Sequence, residues 1–415
     1  MASRYAVKLV KMDGGERMPL LVDTRTGLGV FESTAFCLTM RSKGRQANTL
    51  VQALRAVQFL YETLDEAQVN LMERAKVNDL LTLGEVEALV ARCKFVKDEL
   101  LKADKVARAT NVVPLRKTLK KGRVADYGTA AVQGDTSAIR LSYIVAYLQW
   151  FADYVFLLNI PKNRTEFRGV ASLVIDAIKN RSPKSSPSNN ARRGLTKQQV
   201  NRLLSVIHPD SPENPWFGSF LRNRNYLIIR LLLAIGPRKG ELLGLKINDI
   251  EFRDNTVSIM RRPDDPEDAR TRQPQVKTAS RKLLIADDLA DALKRHLTDD
   301  RYGLGNARKH PFVFVSRRGD PLALNSIDEM FSVLRAAFPE LSPISAHILR
   351  HTWNDCFSEL AEGAMDADEE LQLRNYMMGW SHKSKMAKNY TLRYVEKRAR
   401  EMSLKMQDST YKGVK

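Results

Sequence analysis

Three short segments in the second half of this sequence carry side chains able to work on a phosphate group. They are Gly236-Pro-Arg238-Lys-Gly-Glu241, His347-Ile-Leu-Arg350-His351-Thr, and Gly379-Trp380-Ser-His382 with Tyr390 soon after. Arg238 and Arg350 each offer a planar fork of donors that keeps its charge, the group that best neutralises phosphoryl oxygens in a charged transition state. His347 and Arg350 lie three apart and share a helix face, where an imidazole can bond a phosphate oxygen or accept a proton. The Tyr390 phenol is a nucleophile whose phosphate ester keeps the energy of the broken bond and leaves tolerably well on return. Each segment alone has a plainer explanation: a capping Arg after a Gly-Pro break, a surface His–Arg couple, a Tyr half-buried for packing. Two neighbours read as structural. Glu241 is expected to tie down the turn around Arg238 as a hydrogen-bond acceptor, and His351, directly after Arg350, to support it from a different face than His347.

Taken in order (Arg, Lys, His-x-x-Arg, His-or-Trp, Tyr), these residues resemble the catalytic signature of the tyrosine recombinases, the phage-integrase type. The resemblance covers about Leu195 to the C-terminus closely, and the helical stretch before it more loosely as that family's core-binding domain. It implies a site-specific recombinase that cleaves and rejoins DNA through a 3′-phosphotyrosine, exchanging strands via a Holliday junction. The implied partners are double-stranded DNA, further copies of the chain in a tetramer, and accessory DNA-bending proteins. No cofactor is implied, and the sequence offers neither a carboxylate or Cys/His cluster for a metal nor a Walker loop for ATP. The family's general acid is a Lys on a turn before the third strand. Lys277, in Val276-Lys277-Thr278-Ala-Ser280-Arg281, fits that place after a sixteen-residue interval from Met260 that is longer than usual, and Lys282 is the fallback. Trp380 and His382 stand one residue to either side of the family's spacing before Tyr390. Both carry N–H donors, and Gly379-Trp380 matches the local pattern better. Tyr394 competes with Tyr390 but lacks the spacing. The rival readings are DNA relaxation of the type IB topoisomerase kind and a DNA-binding regulator with a decayed recombinase site; the second is disfavoured because every signature residue is present.

Composition agrees with a polyanionic partner. Of 415 residues 67 are Lys or Arg and 48 Asp or Glu, a formal +19, and each neutralised phosphate releases condensed counterions. Cys37, Cys93 and Cys356 are far apart and form no zinc or disulfide pattern. No apolar run reaches membrane-spanning length and the first residues lack a signal peptide's core. The expectation is a cytoplasmic protein of bacterial or phage origin, associated with the nucleoid and not with a membrane.

The elements that must position the site are legible in outline. The expected fold is an α-helical core-binding domain plus a mixed α+β catalytic domain of tyrosine-recombinase type, with a small N-terminal β element. That β element spans 1–32: Tyr5, Val7 and Leu9 alternate with Ala6, Lys8 and Val10, and a second extended run follows near Met18–Val22. The helical domain spans 33–179. One helix after an N-cap at Asn48 carries Leu50, Ala53, Leu54, Val57, Leu60 and Leu64 on one face. Another opens with the capping box Thr82–Glu85, and a third, Thr136–Leu157, presents Ile139, Tyr143, Tyr147, Trp150 and Tyr154. The basic run Arg116, Lys117, Lys120, Lys121 and Arg123 reads either as a solvated loop or as phosphate contacts. A Ser/Pro/Asn-rich basic linker, 180–194, holds Arg192 and Arg193, which would lie along a duplex. The catalytic domain, 195–394, restarts with a capping box at Thr196–Gln199. It continues with an apolar helix Tyr226–Ile235, strands near Ile247–Phe252, Thr256–Met260 and Arg281–Ile285, and a polar loop before the third strand. A last helix, 395–415, carries Val395, Ala399, Met402 and Met406 as a stripe that either packs on its own domain or docks on a neighbouring copy.

Overall fold

The computed structural model describes residues 3–95, 132, 134–184, 193–384, 386–389 and 392–411. Tyr390 lies outside the described residues, as do Arg116, Lys117, Lys120, Lys121, Arg123 and Arg192. The chain divides into two units, Met1–Met12 with Glu16–Pro187, and Asp13–Gly15 with Ser188–Lys415. Among the described residues no helix is long and apolar enough to cross a membrane.

In the first unit β1 (Tyr5–Lys11) and β2 (Arg17–Asp23) pair antiparallel, from Tyr5 opposite Asp23 to Lys11 opposite Arg17. β2 is buried almost throughout because it lies against α2 (Ala47–Glu66) as well as beside β1. The stripe Leu50, Ala53, Leu54, Val57, Leu60 and Leu64 of α2 is buried, as its spacing predicts. The helix starts before Asn48, however, and Gln46 at its N-cap makes no side-chain bond. Around it stand α1 (Phe31–Ser42), α3 (Leu71–Lys76) and α4 (Leu83–Cys93), the last with the Thr82–Glu85 capping box formed in both directions. α5 (Gly134–Leu157) buries Leu141, Ile144, Leu148, Phe151 and Val155. Of the residues named on it from sequence, Tyr147 is buried with its hydroxyl 2.7 Å from that of Tyr61 and Tyr143, Trp150 and Tyr154 pack against the core, while Ile139 is 54% exposed. α6 (Arg164–Asn180), capped by Asn163, packs on α4 and α5.

The second unit opens with α7 (Lys197–Val206), whose Thr196–Gln199 capping box is complete. Next come α8 (Ser219–Ile235) and the single turn α9 (Lys239–Leu243). The strands β3 (Ile250–Glu251), β4 (Thr256–Ile259) and β5 (Arg281–Leu284) form one antiparallel sheet in that order. α10 (Asp287–Arg295), α11 (Leu324–Ala337), α12 (Ala346–Ala361), α13 (Ala367–Met378) and α14 (Leu392–Tyr411) complete it. α8 runs through one apolar core, with Ile228, Leu231 and Leu232 set against α10 and α12. It begins well before Tyr226, because the polar residues of its first turns find partners inside: Arg224 donates to the Val315 carbonyl at 2.9 Å and to Asn225.

The long interval before β5 is fastened rather than loose. Arg262 grips the Asp249 carboxylate, and Lys246 pairs with buried Asp265 at 2.7 Å. Arg270 bonds buried Asp268 and the carbonyls of Leu243 and Leu322, with its guanidinium 4.5 Å from the Phe312 ring centroid. These anchors hold the segment against α9 and deliver residues 275–279 to a fixed place. At the far end, α14 meets α12 through Arg398–Glu362 (2.7 Å) and Lys397–Glu359 (3.8 Å). Of its apolar stripe, Val395, Met402 and Met406 are 54%, 55% and 63% exposed.

Candidate active site

Two helices end on the same guanidinium. α8 stops at Gly236 (φ 54°) and α13 at Gly379 (φ 65°), both left-handed, where only glycine is unstrained. Space makes the same demand, since a Cβ at Gly236 would come within 2.9 Å of Trp353 and one at Gly379 within 2.8 Å of Thr278. Arg350, buried on α12, donates from Nη1 to the Gly236 carbonyl at 2.6 Å and from Nη2 to the Met378 carbonyl at 3.1 Å. A cation facing two helix C-termini is stabilised by both dipoles. Its guanidinium also lies 5.5 Å from the centroid of the Trp380 ring, itself buried.

Arg238 begins the turn that leaves Gly236, and Glu241 closes it. The Arg238 backbone N–H donates to Glu241 at 3.1 Å and its Nη1 at 3.3 Å, the tie expected of that carboxylate. Glu241 is buried and also accepts from Thr278 Oγ1 and Arg281 Nη2, each at 2.7 Å. Burial alone would push this carboxyl up, but the Arg281 and Arg350 charges and the bonds from Thr278 and Arg281 outweigh it and hold it below its ordinary value of 4.5. A group whose folded pKa is depressed contributes stability above the unfolded value, and that contribution is lost as pH falls through the folded one. Thermal melting should therefore show wild type more stable than Glu241→Gln at neutral pH, with the gap narrowing as pH drops below about 4.5. A gap constant with pH would show that the ionised carboxylate contributes nothing.

Arg281 was not singled out in the sequence, yet it joins the site's elements. Besides Glu241 it donates to Thr278 Oγ1 at 3.2 Å and to the Met377 carbonyl at 2.7 Å. The strand period could have found it: Arg281 shares a side of β5 with core residue Leu283, an inward place for a charge that then needs partners. Lys277 is exposed between buried Val276 and Thr278. Its segment presses on Gly240, where a Cβ would lie 2.8 Å from the Gln275 carbonyl, and reaches the Gly379 carbonyl through the Ala279 N–H at 3.0 Å. The Lys277 backbone thus runs between the Arg238 turn and the Gly379-Trp380 turn. Lys282, opposite Ser258, is exposed on the other side of β5 from Arg281.

His347, half-buried in the first turn of α12, is one turn from Arg350. The expectation that His351 turns away from it is corrected: the two Nε2 atoms are 3.3 Å apart and the rings perpendicular. Residues four apart on a helix lie one above the other, so the pair shares a face. Trp380 is buried beside Arg350, whereas His382 is exposed and its carbonyl accepts from Asn375 Nδ2 at 3.1 Å. Arg193 is exposed and ion-paired with Glu396 at 2.9 Å. Burial, followed by the nearby Glu362 carboxylate, holds the Tyr394 phenol above its ordinary pKa, an unfavourable setting for a nucleophile.

Residues 193–397 match the model of the phage integrase family. A tyrosine recombinase XerD of Halalkalibacterium halodurans is 26% identical over 161 residues, 39% of this chain and 46% of that protein. A tyrosine recombinase XerC of Bacillus pumilus is 26% identical over 162 residues, 38% of this chain and 46% of that protein. The chain thus spans about half the length of these curated relatives. Among solved structures, the Tn1549 transposon integrase in complex with transposon right end DNA is 16% identical with a TM-score of 0.47, covering 89% of this chain and 99% of that one.

Proposed function

Through residues 193–397 this chain belongs to the phage integrase family of tyrosine recombinases, and on that premise we propose that it is a site-specific DNA recombinase working through a phosphotyrosine at Tyr390. The observation that carries the reading is Arg350, one buried guanidinium tied to the Gly236 and Met378 turns, whose charge acts with bonds from Arg238 and Arg281 on Glu241. In this reading Arg238 and Arg350 hold the non-bridging oxygens of the scissile phosphate. His347 accepts the phenol proton of Tyr390, and the phenolate oxygen bonds to phosphorus as the bond to the 5′ oxygen breaks. Lys277 gives that leaving oxygen its proton. One proton is taken up and one released, and religation reverses both. Trp380, set against Arg350, is favoured over exposed His382 as the further phosphate donor. Arg116, Lys117, Lys120, Lys121, Arg123 and Arg192, together with exposed Arg193, are assigned to contacts with the DNA backbone. The 33–179 domain is assigned to binding and 195–394 to catalysis. Strand exchange through a Holliday junction needs four copies, and the exposed stripe of α14 is the surface offered to the next.

The test is covalent trapping. The full chain incubated with fragmented genomic DNA should give protein–DNA complexes that survive detergent, with the nucleotide attached to the peptide holding Tyr390 and a free 5′ hydroxyl on the other fragment. Attachment through another residue, or no covalent complex on any DNA, overturns the reading.

A further inference from the structure

His347 is given one chemical task above, and the group that prepares it for that task lies one turn away. Its Nε2 is 3.3 Å from Nε2 of His351, with the rings at 90°, a geometry in which one nitrogen carries the proton and the other accepts it. We propose that His351 is a positioning residue that accepts a hydrogen bond from His347 Nε2–H and so presents the lone pair of His347 Nδ1 to the reacting tyrosine. The inference rests on the recombinase reading for its consequence, though not for its geometry.

The direction of the bond follows from the proton count. With Nε2 turned to His351, exchange with the phenol passes through Nδ1. If His351 were the donor, neutral His347 would already carry its hydrogen on Nδ1 and could not take up the phenol proton there. If His351 is the acceptor, Nδ1 is bare before the step and protonated after it, while Nε2–H keeps the same bond throughout. His351 is buried at 4% exposure, and an imidazole accepting at Nε2 stabilises the imidazolium created beside it. The shared helix α12 holds both rings, so no movement is required between the states.

Nitrogen NMR on protein labelled at histidine tests this directly, with the His347 signals assigned by their loss in His347→Asn. Wild type should show His347 protonated at Nε2 and bare at Nδ1. His351→Phe, which keeps a ring in the space, should lose that preference and form covalent adduct about tenfold to hundredfold more slowly, with unchanged DNA affinity. His351→Gln, whose Oε1 can accept the same bond, should recover most of the rate. A hydrogen on His347 Nδ1 in wild type, or a Gln variant no faster than the Phe variant, overturns the proposal. The nitrogen spectrum needs no DNA, so it decides the pairing even where wild type forms no adduct and the recombinase reading itself falls.

Discussion

Tyr390→Phe should bind DNA as tightly as wild type and yield no covalent complex, a loss of at least about 10⁴-fold in adduct formation. The substitution removes one oxygen and leaves the ring, so the cationic groups that attract the duplex are untouched. A salt titration should therefore give the same slope of log affinity against log salt for both proteins, since that slope counts the phosphates neutralised. The expected split is complete: binding intact, chemistry absent. Equal rates of adduct formation would transfer the nucleophile to another side chain, for which Tyr394 is the neighbour to examine. Its raised pKa beside Glu362 argues against that outcome, because a phenol held away from its anion attacks more slowly.

The same variant separates a recombinase from a relaxing enzyme. Both use the tyrosine ester, so adduct formation alone does not distinguish them. A plasmid of unrelated sequence would be relaxed by wild type, and not by the Phe variant, only under the topoisomerase reading. The recombinase reading expects wild type to leave that plasmid supercoiled and to act where it finds its site.

How far the sequence reaches depends on how local the cause is. The Thr82–Glu85 and Thr196–Gln199 boxes were legible because donor and acceptor are three residues apart. The inward face of α2 was legible because polar residues on its other side leave one stripe. On α5 the residues named from sequence mix core-packed Tyr147 with exposed Ile139, since a helix apolar on more than one side offers several stripes and packing chooses among them. The start of α8 was missed because the partner of Arg224 is a carbonyl at Val315, remote in sequence. The interval before β5 was read as a plain polar loop for the same reason, as its order comes from Asp249, Leu243 and Leu322. In the candidate site, the segments holding Arg238, Arg350 and Trp380 could be named from sequence, whereas the ties of Arg350 to Gly236 and of Arg281 to Glu241 could not. His351 was misplaced although helix geometry alone puts it over His347. Glu241 and Thr278 meet only because Gly240 lets the 275–278 segment close in.

Arg350 carries the second large expectation, and two substitutions separate its structural and chemical parts. Arg350→Ala removes the donors to the Gly236 and Met378 carbonyls and takes one counter-charge from buried Glu241. Breaking a buried charged network by deleting one partner costs about 3–5 kcal/mol, so melting of this variant should shift clearly downward. Its adduct formation should fall about 10²–10³-fold or more, the scale of losing one charged donor to the transition state. Arg350→Lys keeps a charge near Glu241 but has no planar fork, and one ammonium does not reproduce the guanidinium's hold on two carbonyls together with the phosphate contact proposed for it. It should therefore melt closer to wild type than the Ala variant while reacting nearly as slowly. A Lys variant with wild-type kinetics would reduce Arg350 to a point charge. An Ala variant with wild-type melting would mean that the two glycine-ended helices are held together by their apolar contacts alone.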